Sequence, residues 1–278
     1  MGSSTDGTYR WTTSAQSADP DSPAHLFTPL ATLQGGTTPG ENLLLTDDGV
    51  KVYPLGGNFT FYGTTVNYVQ VCANGVISFA APAHAGTDTI LGTSDDTPSL
   101  DCGNAFTPEP FGTPGQTGDS LVAPLWMDLN PADSGAVWIF SDNFTTTIHW
   151  EDVAQWQSGG GATEGRSTFQ ITLYHDATLT PGSIVVSYET VGTANSWNEG
   201  KGGVLVGMEN ADASHYLQAF GHHGSETLSG STIVVSTCVL GTSIDGDGVD
   251  ACFDCNDFSP ALGLPNIDNY ADEDGDTD

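Results

Sequence analysis

Apolar and polar residues alternate in short runs across residues 26–237, and the runs are separated by turns rich in glycine, asparagine or aspartate. Alternation with a period of two places successive side chains on opposite faces of a β-strand, whereas an amphipathic helix needs apolar residues three or four positions apart. Phe169, Ile171 and Leu173 follow the strand pattern, and helix-period stretches are hard to find. The pattern therefore predicts about twelve to fourteen short strands and no helices.

Turn residues delimit each predicted strand, and Asn74-Gly75 is a strong signal for a tight hairpin. Tyr9 and Trp11 alternate with polar residues in the segment 1–25, so we expect a short strand there that docks on the body. The predicted strands of the body are 43–45, 50–55, 58–62, 66–71, 76–79, 121–129, 136–140, 145–153, 168–174, 184–188, 204–208, 215–220 and 232–236.

Many short strands without helices are typical of an all-β protein, and we predict an antiparallel β-sandwich with a jelly-roll-like arrangement. The sandwich spans residues 26–237, between an extended segment 1–25 and an irregular acidic tail 238–278. Within it, residues 81–118 form a long irregular insertion, of a length that is usually functional or mobile. We expect four large aromatic side chains in the core, namely Trp126, Trp138, Trp150 and Phe169.

The chain is strongly acidic, with 35 acidic residues against four basic ones and a net charge of −31. Such a charge excludes binding to nucleic-acid phosphates or to an anionic membrane surface through electrostatics. No apolar run approaches the length of a membrane-spanning helix, so we expect no membrane insertion. The first residues, MGSST, lack a secretory leader pattern, and the acidic run stops abruptly at Asp278, so we expect a piece of a longer secreted chain.

The five cysteines favour disulfides in an oxidising, extracellular compartment over structural zinc. A zinc site of the usual kind needs two C-x₂-C motifs, and the sequence does not have two. A bridge between Cys72 and Cys102 would close a loop of about thirty residues and stabilise the fold by roughly 3.5 kcal/mol. It would also pin the insertion to the preceding strand. Cys238, Cys252 and Cys255 leave one cysteine without a partner in the sequence.

Carboxylates cluster in residues 245–278 without any Lys or Arg among them. Close carboxylates repel, and glycines between them permit turns that bring the oxygens together. Converging oxygens without a basic partner suit a hard cation such as Ca²⁺, which takes six to eight oxygen ligands. A solvated, disordered tail is the alternative, but the D-x-D-G spacing beside two cysteines favours calcium. The ligand candidates are Asp245, Asp247, Asp250, Asp254, Asp257, Asp272, Asp274, Asp276 and Asp278.

Two further acidic pairs lie in predicted loops of the body, Asp47-Asp48 and Asp95-Asp96. Most pairs of this kind form turns, because aspartate bonds to its own backbone. A second calcium in these loops is the alternative interpretation.

The body resembles a family of β-sandwich modules found in large secreted and surface proteins of bacteria. The resemblance rests on LLLTDDGVKVYPLGGNFTFYGTTVNYVQVCANGVISF, VAPLWMDLN, TIHWEDV, STFQITLYHD, SIVVSYETV and GVLVGMEN. From APLW onward it also resembles the nidogen-type extracellular domain. Both resemblances imply an architectural or adhesive role without enzymatic activity.

The tail DGDGVDACFDC is similar to a thrombospondin type 3 repeat, which wraps around Ca²⁺, although one residue is missing between Gly248 and Asp250. Residues 238–278 would then be a truncated repeat of this kind, with the aspartates named above as its calcium ligands.

Together these features predict a secreted, calcium-binding module for cell adhesion or surface architecture, with a surface or matrix protein, a glycan or further copies of the chain as partner. Three alternatives stay open. Trp156 and Trp197, in loops rich in glycine or asparagine, suggest carbohydrate binding by the sandwich. The module could instead accompany a secreted protease, or segment 1–25 could complete a neighbour's sheet in a self-assembling filament. A G-x-S-x-G elbow and an H-E-x-x-H motif are both missing from the sequence, so we expect no enzyme.

Overall fold

The computed structural model describes residues 2–4, 8–13, 26–105, 107–112, 120–157, 165–178, 181–193, 198, 203–221 and 228–237. Nearly all regular structure in these ranges is β-strand. The elements are β1 (Gly2–Ser3), β2 (Tyr9–Thr13), α1 (Leu30–Gly35), β3 (Gly40–Asn42), β4 (Val50–Phe61), β5 (Thr64–Cys72), β6 (Val76–Ser78), β7 (Leu121–Trp126), β8 (Leu129–Asn130), β9 (Ala136–Ser141), β10 (Thr145–Gln155), β11 (Ser167–Tyr174), β12 (Ile184–Thr190), β13 (Leu205–Glu209), β14 (Tyr216–Gly221) and β15 (Thr232–Thr237).

The strands form two antiparallel sheets that pack face to face, so the predicted β-sandwich is confirmed. The first sheet has nine strands in the order β1-β2-β15-β12-β11-β10-β9-β3, with β8 paired to β10. The second has six strands in the order β14-β13-β7-β6-β5-β4. Alternating side chains from the inner faces of both sheets fill the space between them, as aligned sheet packing requires.

The core is built on the period-two pattern of the sequence. Phe169, Ile171 and Leu173 of β11 are all fully buried. The ring of Phe169 stacks on Trp150 of the neighbouring strand, with centroids 4.8 Å apart and planes 9° apart. Trp126 is also buried, as predicted.

The prediction was wrong for Trp138, which is only partly buried. Its neighbours in β9, Val137 and Ile139, are fully buried, and alternation along a strand then turns the indole to the outer face.

The expected absence of helices was also wrong, because α1 occupies Leu30–Gly35. This helix has six residues, buries none of them and begins after Pro29. A helix of less than two turns is too short to show an apolar period. It is also far shorter than a membrane-spanning helix, and no helix in the described ranges is long and apolar enough to cross a membrane.

The hairpin predicted at Asn74-Gly75 is confirmed between β5 and β6. Gly75 has φ +69°, and a Cβ there would lie 1.9 Å from the carbonyl oxygen of Leu125. Only glycine therefore fits this turn. The turn lies at the end of the sandwich where the segment before β4 and the junction of β7 with β8 also meet.

Candidate metal site

The nine aspartates predicted as calcium ligands in the tail lie outside the described residues, as do Cys238, Cys252, Cys255 and Trp197. The structure therefore bears on the two acidic pairs of the body and on Trp156. It brings each pair together with a third carboxylate, in two clusters of different character.

The first cluster joins Asp47 and Asp48 with Asp128. One carboxylate oxygen from each lies within 4.8 Å of the other two. Asp47 and Asp48 occupy the turn before β4, closed by the bond from the Gly49 N–H to the Thr46 carbonyl oxygen at 3.0 Å. Asp128 lies between β7 and β8 and is 4% exposed. Two segments that are distant in sequence thus direct carboxylates to one point.

Asn74, at the tip of the β5–β6 hairpin, holds the two segments together. Its Nδ2 donates to Oδ1 of Asp48 at 2.9 Å, and its Oδ1 accepts from the backbone N–H of Leu129 at 2.7 Å. Nδ2 also lies 3.3 Å from the carbonyl oxygen of Cys102. Because Asn74 is fully buried, these bonds fix the separation of the acidic loops.

The backbone around Asp128 is fixed from the other side. Its backbone N–H donates to Oδ1 of Asn198 at 2.9 Å, and its carbonyl oxygen accepts from the backbone N–H of Trp156 at 3.0 Å. The backbone that carries the Asp128 carboxylate is therefore held on two sides.

Asp47 has an unusual environment for a carboxylate. Burial raises its pKa above 3.8, the charges of Asp48 and Asp133 raise it further, and a hydrogen bond from the Trp156 side chain opposes the shift. Its Oδ1 is buried and has no hydrogen-bond partner. A buried carboxylate oxygen without a donor is costly unless a proton or a cation satisfies it.

The Lys and Arg side chains that the structure describes, those of Lys51 and Arg166, do not supply that positive charge. Lys51 Nζ lies 2.7 Å from Glu41, and Arg166 Nη1 lies 2.5 Å from Asp152. The donor set of the cluster consists of hard oxygen atoms, which suit Ca²⁺ or Mg²⁺ rather than a soft metal.

The second cluster joins Asp88 with Asp95 and Asp96, and backbone or hydroxyl groups of its own loop donate to both oxygens of Asp95 and of Asp96. Oδ2 of Asp95 accepts from the backbone N–H and the hydroxyl of Thr87 at 2.6 and 2.7 Å, and its Oδ1 accepts from the Thr93 hydroxyl at 2.8 Å. Hydrogen bonds from these two hydroxyls lower the pKa of Asp95 to about 2. The interpretation as a turn former is therefore adequate for this pair.

The disulfide predicted between Cys72 and Cys102 is present, with Cα atoms 5.6 Å apart. Both cysteines are buried, at 0% and 1% exposure. The bridge ties the insertion to the end of β5, two residues before Asn74. The disulfide therefore attaches the insertion next to Asn74, the residue that bonds to the acidic cluster.

Trp156 is partly buried, and its side chain bonds to Asp47. This bond turns the indole N–H towards the acidic cluster.

Sequence reasoning missed Asp128 and Asn74 as parts of a site. An available signal was the acid within the apolar run LVAPLWMDLN, because an aspartate among buried residues needs a partner.

His149 lies on the face of β10 opposite Ile148 and Trp150, as the alternation indicates, yet it is fully buried. The Phe27 ring covers it at a centroid distance of 5.6 Å, and Nε2 lies 2.5 Å from Glu151 Oε2. This histidine connects the segment before α1 to the outer face of the nine-stranded sheet.

A family model described as NIDO related matches residues 21–239, most of the chain. Neither the curated proteins nor the solved structures contain a significant match.

Proposed function

The chain belongs to the NIDO-related family, and on that premise we propose that it is an extracellular, non-enzymatic module that binds calcium and serves in cell adhesion or surface architecture. A nidogen-like domain suggests an extracellular module. The buried Cys72–Cys102 bridge supports that setting, because disulfides persist in oxidising compartments.

The observation that carries the calcium proposal is the buried, partnerless Oδ1 of Asp47 beside two further carboxylates. Asp47, Asp48 and Asp128 would hold the ion. When bound, calcium would supply a positive charge to this group of oxygens. It would join the turn before β4 to the junction of β7 with β8, so that its role is structural.

Calcium is preferred over magnesium because the ligands lie on loops of different strands. Ca²⁺ accepts six to eight oxygens in flexible geometry, whereas Mg²⁺ demands a near-ideal octahedron and retains its waters. Extracellular calcium modules bind with dissociation constants of about 10⁻⁴–10⁻³ M, and we assign this range to the cluster.

The aspartates of the tail, from Asp245 to Asp278, form the second part of the proposal. Their support is the D-x-D-G spacing and its resemblance to a thrombospondin type 3 repeat. Without calcium the carboxylates repel, and binding of the ion would order the segment. The tail would then be a stalk that calcium stiffens, and the sandwich would be its adhesive head.

Terbium luminescence tests the site in the body, because Tb³⁺ takes the oxygen ligands of Ca²⁺ and emits when a nearby indole is excited. Trp156 contacts Asp47 directly. We expect tryptophan-sensitised emission from the full chain that millimolar Ca²⁺ displaces. Trp156→Phe should remove most of that emission, whereas Trp138→Phe, on the outer face of the sheet, should keep it.

Equal emission from the two variants would contradict a site at Asp47. Emission that Ca²⁺ fails to displace would contradict calcium as its ligand. Limited proteolysis tests the tail separately. Protection of residues 238–278 should rise with Ca²⁺, and unchanged cleavage up to about 10⁻³ M Ca²⁺ would refute the stalk.

A further inference from the structure

Strand β2 is added to the edge of the nine-stranded sheet beside β15. Its residues Tyr9–Thr13 pair in antiparallel register with Ile233–Thr237. If β2 left, the outer N–H and C=O groups of β15 would form a free edge, and free edges readily accept another strand. The position beside β15 is therefore an acceptor site for a strand, and β2 fills it.

A buried anchor accompanies the backbone pairing. Tyr9 is 1% exposed, and its ring packs against Phe61, the last residue of β4 in the other sheet, and Tyr62 in the turn that follows, at centroid distances of 6.0 and 4.8 Å. The backbone N–H of Tyr62 donates to the Tyr9 hydroxyl at 3.1 Å. The acceptor site thus includes a side-chain pocket as well as a sheet edge, which makes it selective for this strand.

The strand that fills the site lies outside the family domain. The family match covers residues 21–239, which includes β15, Phe61 and Tyr62 but excludes β1 and β2. The acceptor site therefore belongs to the domain, and its occupant is a segment added to it.

The residues at the two ends of the connection from β2 to the body, Thr13 and Leu26, both lie beside the start of β15. Thr13 pairs with Ile233, and the Leu26 N–H donates to Oγ1 of Thr232 at 2.9 Å. The twelve residues 14–25 between them can reach roughly 40 Å when extended. Pro20 and Pro23 within them fix φ and favour an extended residue before each proline. The length and the prolines of this connection would therefore allow β2 to reach a second copy of the chain.

We propose that β2, with β1 paired to its other edge, pairs with β15 of a second copy of the chain, so that copies are joined by exchange of these strands. This inference rests on the proposed role in surface architecture and names the partner for it. The contacts of Tyr9 and of the β2–β15 ladder would be the same between two chains as they are within one. A flexible tether gives an effective concentration in the millimolar range, and a stiff one gives less. With a stiff tether, pairing of β2 with a second copy can therefore compete with pairing within the chain at chain concentrations below the millimolar range.

The charge of the chain sets a condition for the exchange. Two copies at −31 each repel, and salt or Ca²⁺ screens that repulsion. The exchange should therefore increase with ionic strength.

Cysteine pairing between two full-length variants tests the proposal. Trp11 and Val235 are directly opposite in the ladder. One chain carries Trp11→Cys and the other Val235→Cys, so a disulfide between these positions forms only if β2 of the first pairs with β15 of the second. The two are mixed at about 10 µM to about 1 mM, below and up to the millimolar range of a tether, and oxidised. The linked peptides are then identified by mass spectrometry, which separates them from products of the native cysteines.

We expect the 11–235 link between chains, with a yield that rises with chain concentration and with salt. A matched control carries both substitutions in one chain, and there the link forms within the monomer as well. A link in this control without any link between the single variants would overturn the proposal. So would its absence from both, since the register itself would then be wrong.

Light scattering of the unsubstituted chain provides a second measurement that is independent of the cysteines. The mean mass should rise above that of a monomer over the same concentrations, and a constant monomer mass would overturn the exchange. Running both experiments in EDTA and in Ca²⁺ separates the two proposals. Failure of the calcium site removes the Tb³⁺ signal and leaves the link in EDTA, whereas failure of the exchange leaves the Tb³⁺ signal unchanged.

Discussion

Replacing Asp48 by Asn should reveal the repulsion within the acidic cluster. The substitution removes one charge and retains an oxygen that can accept from Nδ2 of Asn74. Asp48 has φ +53°, a conformation that asparagine tolerates well. The two residues are nearly the same size, so the perturbation is one of charge rather than of packing.

The expected magnitude follows from the separation of the carboxylates. Two unit charges 4.8 Å apart, the upper limit for the oxygens of this cluster, repel by about 0.9 kcal/mol in water and by about 3.5 kcal/mol at an effective dielectric constant of 20. Solvent reaches part of the cluster and screens it, so we expect the lower part of this range. In EDTA, Asp48→Asn should therefore raise the free energy of unfolding by about 1–2 kcal/mol, in contrast to the usual effect of a substitution.

Calcium should offset the advantage of the variant, because it stabilises the wild-type protein more. An ion that binds only the folded state stabilises it by about 1.4 kcal/mol at ten times its dissociation constant, and by about 2.7 kcal/mol at one hundred times. For a constant of about 10⁻⁴–10⁻³ M, about 10 mM Ca²⁺ should raise the Tm by roughly 3–10 °C. The variant should lose most of this gain at the body site, because it lacks one of three ligands.

Urea unfolding in EDTA and in Ca²⁺ measures both effects, with Asp95→Asn as the control. Asp95 belongs to the cluster whose oxygens are already bonded to Thr87 and Thr93, so its substitution should leave the calcium gain unchanged. Any contribution of the tail is common to all three proteins. An equal calcium gain in Asp48→Asn and wild type would refute the assignment of the ion to this cluster.

Three further predictions concern the fold. The double variant Cys72→Ser, Cys102→Ser should unfold with a free energy lower by about 3–4 kcal/mol, because the unfolded chain regains the entropy of the loop, and an unchanged urea midpoint would contradict this. Asp95 should titrate near a pKa of about 2 by carboxyl NMR, below its ordinary 3.8; its stabilisation is then complete above pH 3.8 and is lost as the pH falls through about 2, so a stability gap to Asp95→Asn that stays constant with pH would count against it. Trp150→Ala should destabilise by about 3–5 kcal/mol, and Trp138→Ala by much less, whereas equal losses would show that both indoles are in the core.

Much of the sandwich could be predicted because strand formation is encoded locally. Side chains alternate between the faces of a strand, so runs such as Phe169 to Leu173 show which residues are buried before any partner strand is known. The Asn74-Gly75 turn is equally local, because the left-handed backbone that it needs is available to glycine.

Trp138 shows where the same pattern was outweighed by residue size. The apolar neighbours Val137 and Ile139 already indicated that Trp138 faces outward, but a large aromatic residue suggested the core. Helix α1 is a different case, since its six residues form an exposed turn that depends on the segments around it.

The metal site was only half visible in the sequence. Asp47 and Asp48 could be identified as a pair, but the approach of Asp128 depends on β6 lying between β5 and β7 in the sheet. Strand order is set by packing over the whole domain, and a single sequence does not display it. The unmatched oxygen of Asp47, which distinguishes this cluster from the one at Asp95, exists only once the loops are in place.

A crystal structure of the full chain grown with Ca²⁺, with anomalous scattering to locate the ion, tests the central claim most directly. The account predicts an anomalous peak about 2.3–2.6 Å from carboxylate oxygens of Asp47, Asp48 and Asp128. The same loops in calcium-saturated crystals with no peak among these three carboxylates would contradict it.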